Sequence, residues 1–432
     1  MFMTNTIQGL KPKLLKVKLF DFLEHLKLPD EALNFILRAK DVAEKQGRFL
    51  YLAGGEVRDF LLKRPSYDVD LVIEGSATDF LEELKRKFVF EVLFSSPFLT
   101  YKILLPQTGF EVDLVTARGE VYEDVAALPK VYQATFKEDV LRRDFTINAL
   151  IYGLSPPYPE MIVDLVSGIS DLERSLLRPL HLRSFVDDPT RVFRGIRYKV
   201  RFELNYADEF YQALSQAIEA QAFLKLSASR LRNELLLFVK REGISSLPML
   251  LSECQNFELL SHSGLGVDGE KLEEGIKTLE EFVEILSPRE VEDAFLLILA
   301  GFKRENLKRL FFADSVIDRL VKLYEEFRTN LQAVLTLPLI ERVLKFDKID
   351  KATLIALSLY LPEIRKEIKR YLFVYSKVYP ELKGGDLKEL GIEPGKQLGE
   401  ILKKLREEKL EGRLKTKDEE IAFVKSLLYS AS

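Results

Sequence analysis

Apolar residues recur along this chain at two spacings, and the places where the spacing changes divide it. Over 12–48, KLLKVKLFDFLEHLKL and DEALNFILRAKDVAEKQG set them three and four apart, which predicts helices. FLYLAG is then a short apolar run ending in Gly54-Gly55, followed by the helical EVRDFLLKR. After Pro65, YDVDLVIEG alternates with period two and predicts a strand, and SATDFLEELKRKF predicts a helix. VFEVLFSS, LTYKILLP and GFEVDLVTA read as further strands, and LIYGLSPPYPEMIVDLVSG as a closing hairpin. Beyond about residue 170 the strand period fades, and Leu-rich helical segments punctuated by Pro and Gly run to the end. The expected class is α+β: a strand-rich unit with a small mixed sheet, then an all-helical remainder. A chain of 432 residues also exceeds one ordinary core, so several subdomains are expected.

Composition narrows the chemistry. One cysteine, Cys254, excludes a disulfide framework or a cysteine zinc site within the chain, and three scattered histidines disfavour a His-based metal site. No apolar run reaches the roughly 18 residues of a membrane span. The start, MFMTNTIQGLKPKLLKVKLF, lacks the core of a secretory signal, so a cytoplasmic protein is expected. The net charge is −4, yet Arg174 to Arg201 carries eight Lys/Arg against two acids, a local cationic stripe.

Asp68-Val69-Asp70 falls in the alternating stretch, which would put both carboxylates on one strand face about 7 Å apart. Val112-Asp113-Leu114 in a second strand offers a third acid, and adjacent strands would let the three converge. Hard oxygen ligands at that spacing suit Mg²⁺, and two such ions would activate a hydroxyl and stabilise leaving pyrophosphate. Asp-x-Asp alone describes a solvated strand face equally well. Gly54-Gly55 changes the balance: it closes a strand and opens a helix, aiming backbone N–H groups at a phosphate, with Arg58 one turn in. Two glycines by themselves also suit a tight turn.

GGEVRDFLL, YDVDLVIEG, LRRDFTINAL, DLVSGISDL and DDPTRVFRGIRY, in that order over 51–202, resemble the motifs of the class II tRNA nucleotidyltransferase/poly(A) polymerase family. ASRLRNELL and, near the end, GDLKELGIEPGKQLGEILKKL extend the resemblance, which is weakest over about 245–375. It implies a polymerase-β-like nucleotidyltransferase head at 49–170, after an N-terminal helical extension at 1–48. A helical neck at 171–255, a body at 256–345 and a tRNA-binding tail at 346–432 would follow. By resemblance Asp68 and Asp70 match the Mg²⁺ ligands and Asp113 the third catalytic carboxylate. Gly54, Gly55 and Arg58 match the triphosphate site, and Arg143 with Asp144 the nucleotide-contacting pair of RRDFT. Asp188 and Arg191 match the pair that reads the base, with Arg194 and Arg197 further along the same helix. The family commonly has Glu-Asp before the proline where this chain has Asp187-Asp188, a change that keeps the charge.

An Asp acceptor and an Arg donor at i and i+3 share a helix face and complement the amino and ring-nitrogen edge of C and of A. They clash with U and G, whose mismatched polar groups are costly in a closed site. The plainer reading is a helix cap and a surface ion pair. Taken together, the resemblance implies addition of C (CC, or the full CCA) to the tRNA 3′ end from CTP and ATP, with tRNA gripped mainly through phosphates and shape. An A-adding enzyme, a bacterial poly(A) polymerase and a non-catalytic RNA-binding relative are the alternatives. Residues 118–140 are expected to form a flexible loop in the switch from C to A. Lys383 to Lys417, with ten Lys/Arg against seven acids, reads either as a phosphate-facing turn or as a helical hairpin. No His-Asp dipeptide occurs, so a fused phosphohydrolase domain is not indicated.

Overall fold

The computed structural model describes residues 11–96 and 100–429. The reading of the first ten residues as free of a secretory signal lies outside them. The chain divides into two compact units, 1–226 and 227–432. The division falls within the stretch expected as the neck.

The first unit is built on an eight-stranded sheet. Its strands are β1 (Lys13–Lys16), β2 (Leu50–Ala53), β3 (Asp70–Ile73), β4 (Glu91–Ser95), β5 (Thr100–Leu105) and β6 (Phe110–Thr116), with β9 (Leu150–Gly153) and β10 (Met161–Asp164) after a separate hairpin. Their spatial order is β1-β10-β9-β2-β3-β6-β5-β4. β3 and β6 run parallel, and the remaining neighbours in the sheet are antiparallel. The strand-rich unit and the helical remainder are as the two spacings predicted, and the mixed sheet agrees with the head that the resemblance implied.

Alternation sorts the side chains of the central strands onto two faces. Tyr51, Ala53, Val72, Ile151 and Val163 form one core with Phe136 and Val140, from the helix Phe136–Leu141. On the opposite side lie Leu52, Leu71 and Tyr152, and Tyr152 stacks at 4.0 Å on Phe22 of α1 (Leu19–His25). The next helix, α2 (Asp30–Lys45), packs beside α4 (Ala77–Lys85), its Phe35 meeting Phe88 edge to face. Between them in sequence, α3 (Gly55–Leu61) starts where β2 ends.

Three local expectations change. Lys13–Lys16, read as helical, pairs antiparallel with β10 as an exposed edge strand flanked by lysines. An unpaired sheet edge offers backbone bonds that four residues of weak helical period cannot match, and the lysines blunt the new edge. β3 begins only at Asp70, leaving Asp68 ahead of the strand, because β2 turns away at Gly54 and offers residue 68 no partner. Residues 118–140 form a hairpin, β7 (Arg118–Val121) with β8 (Lys130–Gln133), followed by α5 (Phe136–Leu141), not an irregular loop.

The second unit is all-helical among the described residues. The helix Lys351–Tyr360 is buried over nearly its whole length and packs against Pro288–Ala300. Toward the end, Leu382, Leu387, Ile392, Ile401, Leu405 and Val424 make a core between Lys396–Leu410 and Lys417–Tyr429. The basic tail segment is therefore a helical hairpin with its own core. No helix among the described residues is long and apolar enough to cross a membrane.

Phe22→Ala empties the fully buried ring position over Tyr152. It should lower stability by about 3 kcal/mol, read as a drop in the urea midpoint at unchanged slope.

Candidate active site

The site forms where β2 stops and the parallel pair β3/β6 begins. Gly54 links β2 to α3 with φ +99°, a region that strongly favours glycine. A Cβ there would also lie 2.9 Å from Nη1 of Arg143, so the guanidinium rests on the glycine backbone. Gly55 opens α3, whose first-turn N–H groups have no partner within the helix.

Asp70 stands directly opposite Asp113 in the β3/β6 register. Burial and then the Asp113 charge push the Asp70 carboxyl up to about 6, against relief from Arg143. Asp68 adds to that repulsion but is itself exposed, outside the strand. Lys102 of β5 lies 3.1 Å from Asp113 and 3.1 Å from Glu111, supplying positive charge beside this acid. Among the described residues no three acids, histidines or cysteines are gathered closely enough to hold a metal ion. The three aspartates are therefore not gathered into a finished ligand set. Their donor chemistry nonetheless fits a hard divalent cation, which would relieve the repulsion that raises Asp70.

Arg143 donates to Oδ2 of Asp139 at 3.0 Å, and Arg142 to Oδ1 of the same carboxylate at 2.6 Å. Burial opposes the charge on Asp139, but Arg143 and Arg142 outweigh it and hold the carboxyl below its usual range. Sequence reading missed Asp139, although its signal was present: an acid in a short helix with arginines at i+3 and i+4, at and just past the helix end.

Asp144 is buried and fully engaged. It accepts from the Phe145 and Asn148 N–H groups and from Nη1 of Arg194 at 2.9 Å. Asn148 in turn accepts from Arg58 at 2.5 Å. Arg58 is itself buried, bonded to Asp59 and lying 4.3 Å over the Phe202 ring. The expected phosphate ligand is thus a buried residue bonded to Asn148 and Asp59, its guanidinium packed 3.7 Å from where a Cβ of Gly55 would stand. Asn148 was invisible as a site residue because nothing in INAL marks which polar side chain turns inward.

Of the base-reading candidates, Arg191 sits in the first turn of α8 (Thr190–Phe202), whereas Asp188 lies ahead of it in extended backbone after α7 (Ser184–Asp187), so the two do not share a helix face as the i, i+3 spacing predicted; the intervening helix α6 is Gly168–Glu173. Asp188 accepts from the Thr190 backbone and hydroxyl at 3.0 and 2.6 Å, capping the first turn. Arg191, only 4% exposed, donates to Ser184 at 2.7 Å and to the Arg142 carbonyl at 2.9 Å, and touches the Tyr122 hydroxyl at 3.4 Å. Tyr122 donates on to Glu120 of β7. Arg197 is also buried. A cavity of about 350 Å³ opens beside Arg191, lined by Tyr122, Tyr132, Arg142, His181 and Asp187.

The poly A polymerase head domain matches residues 50–178. Over 418 residues the chain is 28% identical to the A-adding tRNA nucleotidyltransferase of Halalkalibacterium halodurans, covering 94% of this chain and 95% of that one. It is 28% identical over 397 residues to the CCA-adding enzyme of Streptococcus gordonii, covering 87% and 92%. It spans less than half the length, 45% and 44%, of two further A-adding relatives. The solved Thermotoga maritima CCA-adding enzyme complexed with tRNA superposes with a TM-score of 0.73 at 25% identity, covering 96% of this chain and 99% of that one.

Burial, with Arg191 and Arg183 nearby, lowers His181 from 6.5 to about 4. The folded chain keeps this imidazole neutral where the unfolded chain protonates it, so its contribution is lost as pH falls through that window. Relative to His181→Gln, the native chain should lose about 1.4 kcal/mol of stability per pH unit from about 6.5 toward about 4, measured by urea unfolding of both.

Proposed function

We propose that this chain is a member of the tRNA nucleotidyltransferase/poly(A) polymerase family and extends the 3′ end of tRNA without a template, using CTP or ATP and releasing pyrophosphate. The observation that carries the reading is Asp70 facing Asp113 beside a glycine turn on which Arg143 rests. An acid pair and a preset cation beside a glycine turn that opens a helix suit the transfer of a phosphoryl centre.

Asp68, Asp70 and Asp113 would hold Mg²⁺, which supplies Lewis acidity and charge neutralisation at the reacting phosphate. The Gly54–Gly55 turn and Arg143 receive the triphosphate, and Arg143 needs no reorganisation because Asp139 already fixes it. Asp144 holds Arg194 on the nucleotide side of α8, with Arg197 further along the same helix. Asp188 and Arg191 present an acceptor and donors to the pairing edge of C or A. With the reactants positioned, in-line attack of the primer hydroxyl asks for little covalent help from side chains.

Two endpoints are in play. The first is addition of C, as CC or as the full CCA; the Asp188/Arg191 pair complements C and A alike and fits it. The near full-length likeness to an A-adding enzyme supports single A addition at least as well. Incubation with tRNA ending at the discriminator base, at C74 or at C75, given CTP, ATP or both, separates them. Extension only of the C75 end by ATP fixes the A-adding reading, and extension of an unrelated RNA by many A residues points to poly(A) synthesis. No extension of any tRNA sinks the proposal.

Asp70→Ala should reduce incorporation at least a thousandfold while the far-UV spectrum stays unchanged. Substantial remaining turnover counts against the metal assignment. Arg191→Ala should relax base choice, raising UTP use relative to the preferred nucleotide by tenfold or more in kcat/KM, since an unpaired polar contact is worth about 1–3 kcal/mol.

A further inference from the structure

Glu56 is the second residue of α3 and is 2% exposed, a carboxylate buried beside Asp70. The sheet supplies its task. β2 and β3 pair from Leu50↔Ile73 to Leu52↔Leu71, and there β2 leaves the sheet at Gly54. The next N–H along β3, that of Asp70, faces the place β2 has vacated. An orphaned strand amide in a half-buried position must find an acceptor. It donates to Oε1 of Glu56 at 2.8 Å. On its other side β3 is held by the Asp113 N–H, which donates to the Val69 carbonyl at 3.0 Å.

We propose that Glu56 is a positioning residue that fixes Asp70 opposite Asp113 and at a set distance from the Gly54–Gly55 turn. The proposal rests on the reading of Asp70 as a metal ligand. The same helix turn that presents backbone N–H groups to a triphosphate thus carries the acceptor that anchors the carboxylate strand. One hydrogen bond spans the two halves of the site. Without it, repulsion from Asp113 would act on the first residue of a strand held on one side only, and Asp70 would move away. Glu56 acts here through its acceptor atom, so an amide in its place does the same work.

The test counts Mn²⁺ bound to the full chain without nucleotide, by the electron paramagnetic resonance signal of the free ion. Glu56→Asp keeps the carboxylate and draws the acceptor back by one methylene; it should weaken Mn²⁺ about tenfold, as should Glu56→Ala. Glu56→Gln should bind within about twofold of the native chain. Native-like binding by Glu56→Asp, or a loss in Glu56→Gln equal to that in Glu56→Ala, overturns the proposal. If Glu56→Ala fails to fold, the aspartate and glutamine variants decide. Asp70→Asn separates the two claims: it should abolish binding, and native-like Mn²⁺ uptake by it removes the metal reading and this proposal with it.

Discussion

Asp139 is fully buried, and its carboxylate is shared by Arg142 and Arg143. Two adjacent arginines in a half-dry interior would repel each other and the fold without it. Removing one partner from such a buried charged group costs about 3–5 kcal/mol, because the remaining charge is left without compensation. From this one anion the site branches. Arg143 lies on Gly54 and faces Asp70, while the Arg142 carbonyl receives Arg191 and its guanidinium reaches Glu120. The glycine turn, the carboxylate strands and the start of α8 are therefore fixed from a common point.

The second constraint is the early end of β2. A longer β2 would continue the ladder past Leu71 and cover the start of β3. By turning at Gly54 it opens a gap in the sheet exactly one residue before the acidic pair, and a helix N-terminus fills it. Gly54 permits this in two ways, by its positive φ and by the absence of a Cβ beneath Arg143. The acids, the glycine turn and the arginine are brought together by backbone topology.

Polar residues behind the site carry its precision. Asn148 joins Arg58 to Asp144, and Asp144 joins Arg194. Each member is buried or half-buried with its partners supplied, which favours a single arrangement over many. Tyr122 brings the β7–β8 hairpin into the same network through Glu120 and Arg191. A segment read as a loop thus contributes directly to the surroundings of Arg191.

Periodicity and motif order in the chain determined the α+β class, the strands around Asp70 and Asp113, the helical remainder and the family resemblance. These are local or nearly local signals, set by alternation, by three- and four-residue spacing and by short fixed runs such as GGEVRDFLL and RRDFTINAL. Tertiary structure decided the rest. It drew Lys13–Lys16 into the sheet edge, left Asp68 outside its strand and turned Arg58 inward. It also gave Glu56, Asp139 and Asn148 their partners. Such outcomes depend on which backbone groups lack a partner and which side chains lose water, and both are settled only when distant segments meet.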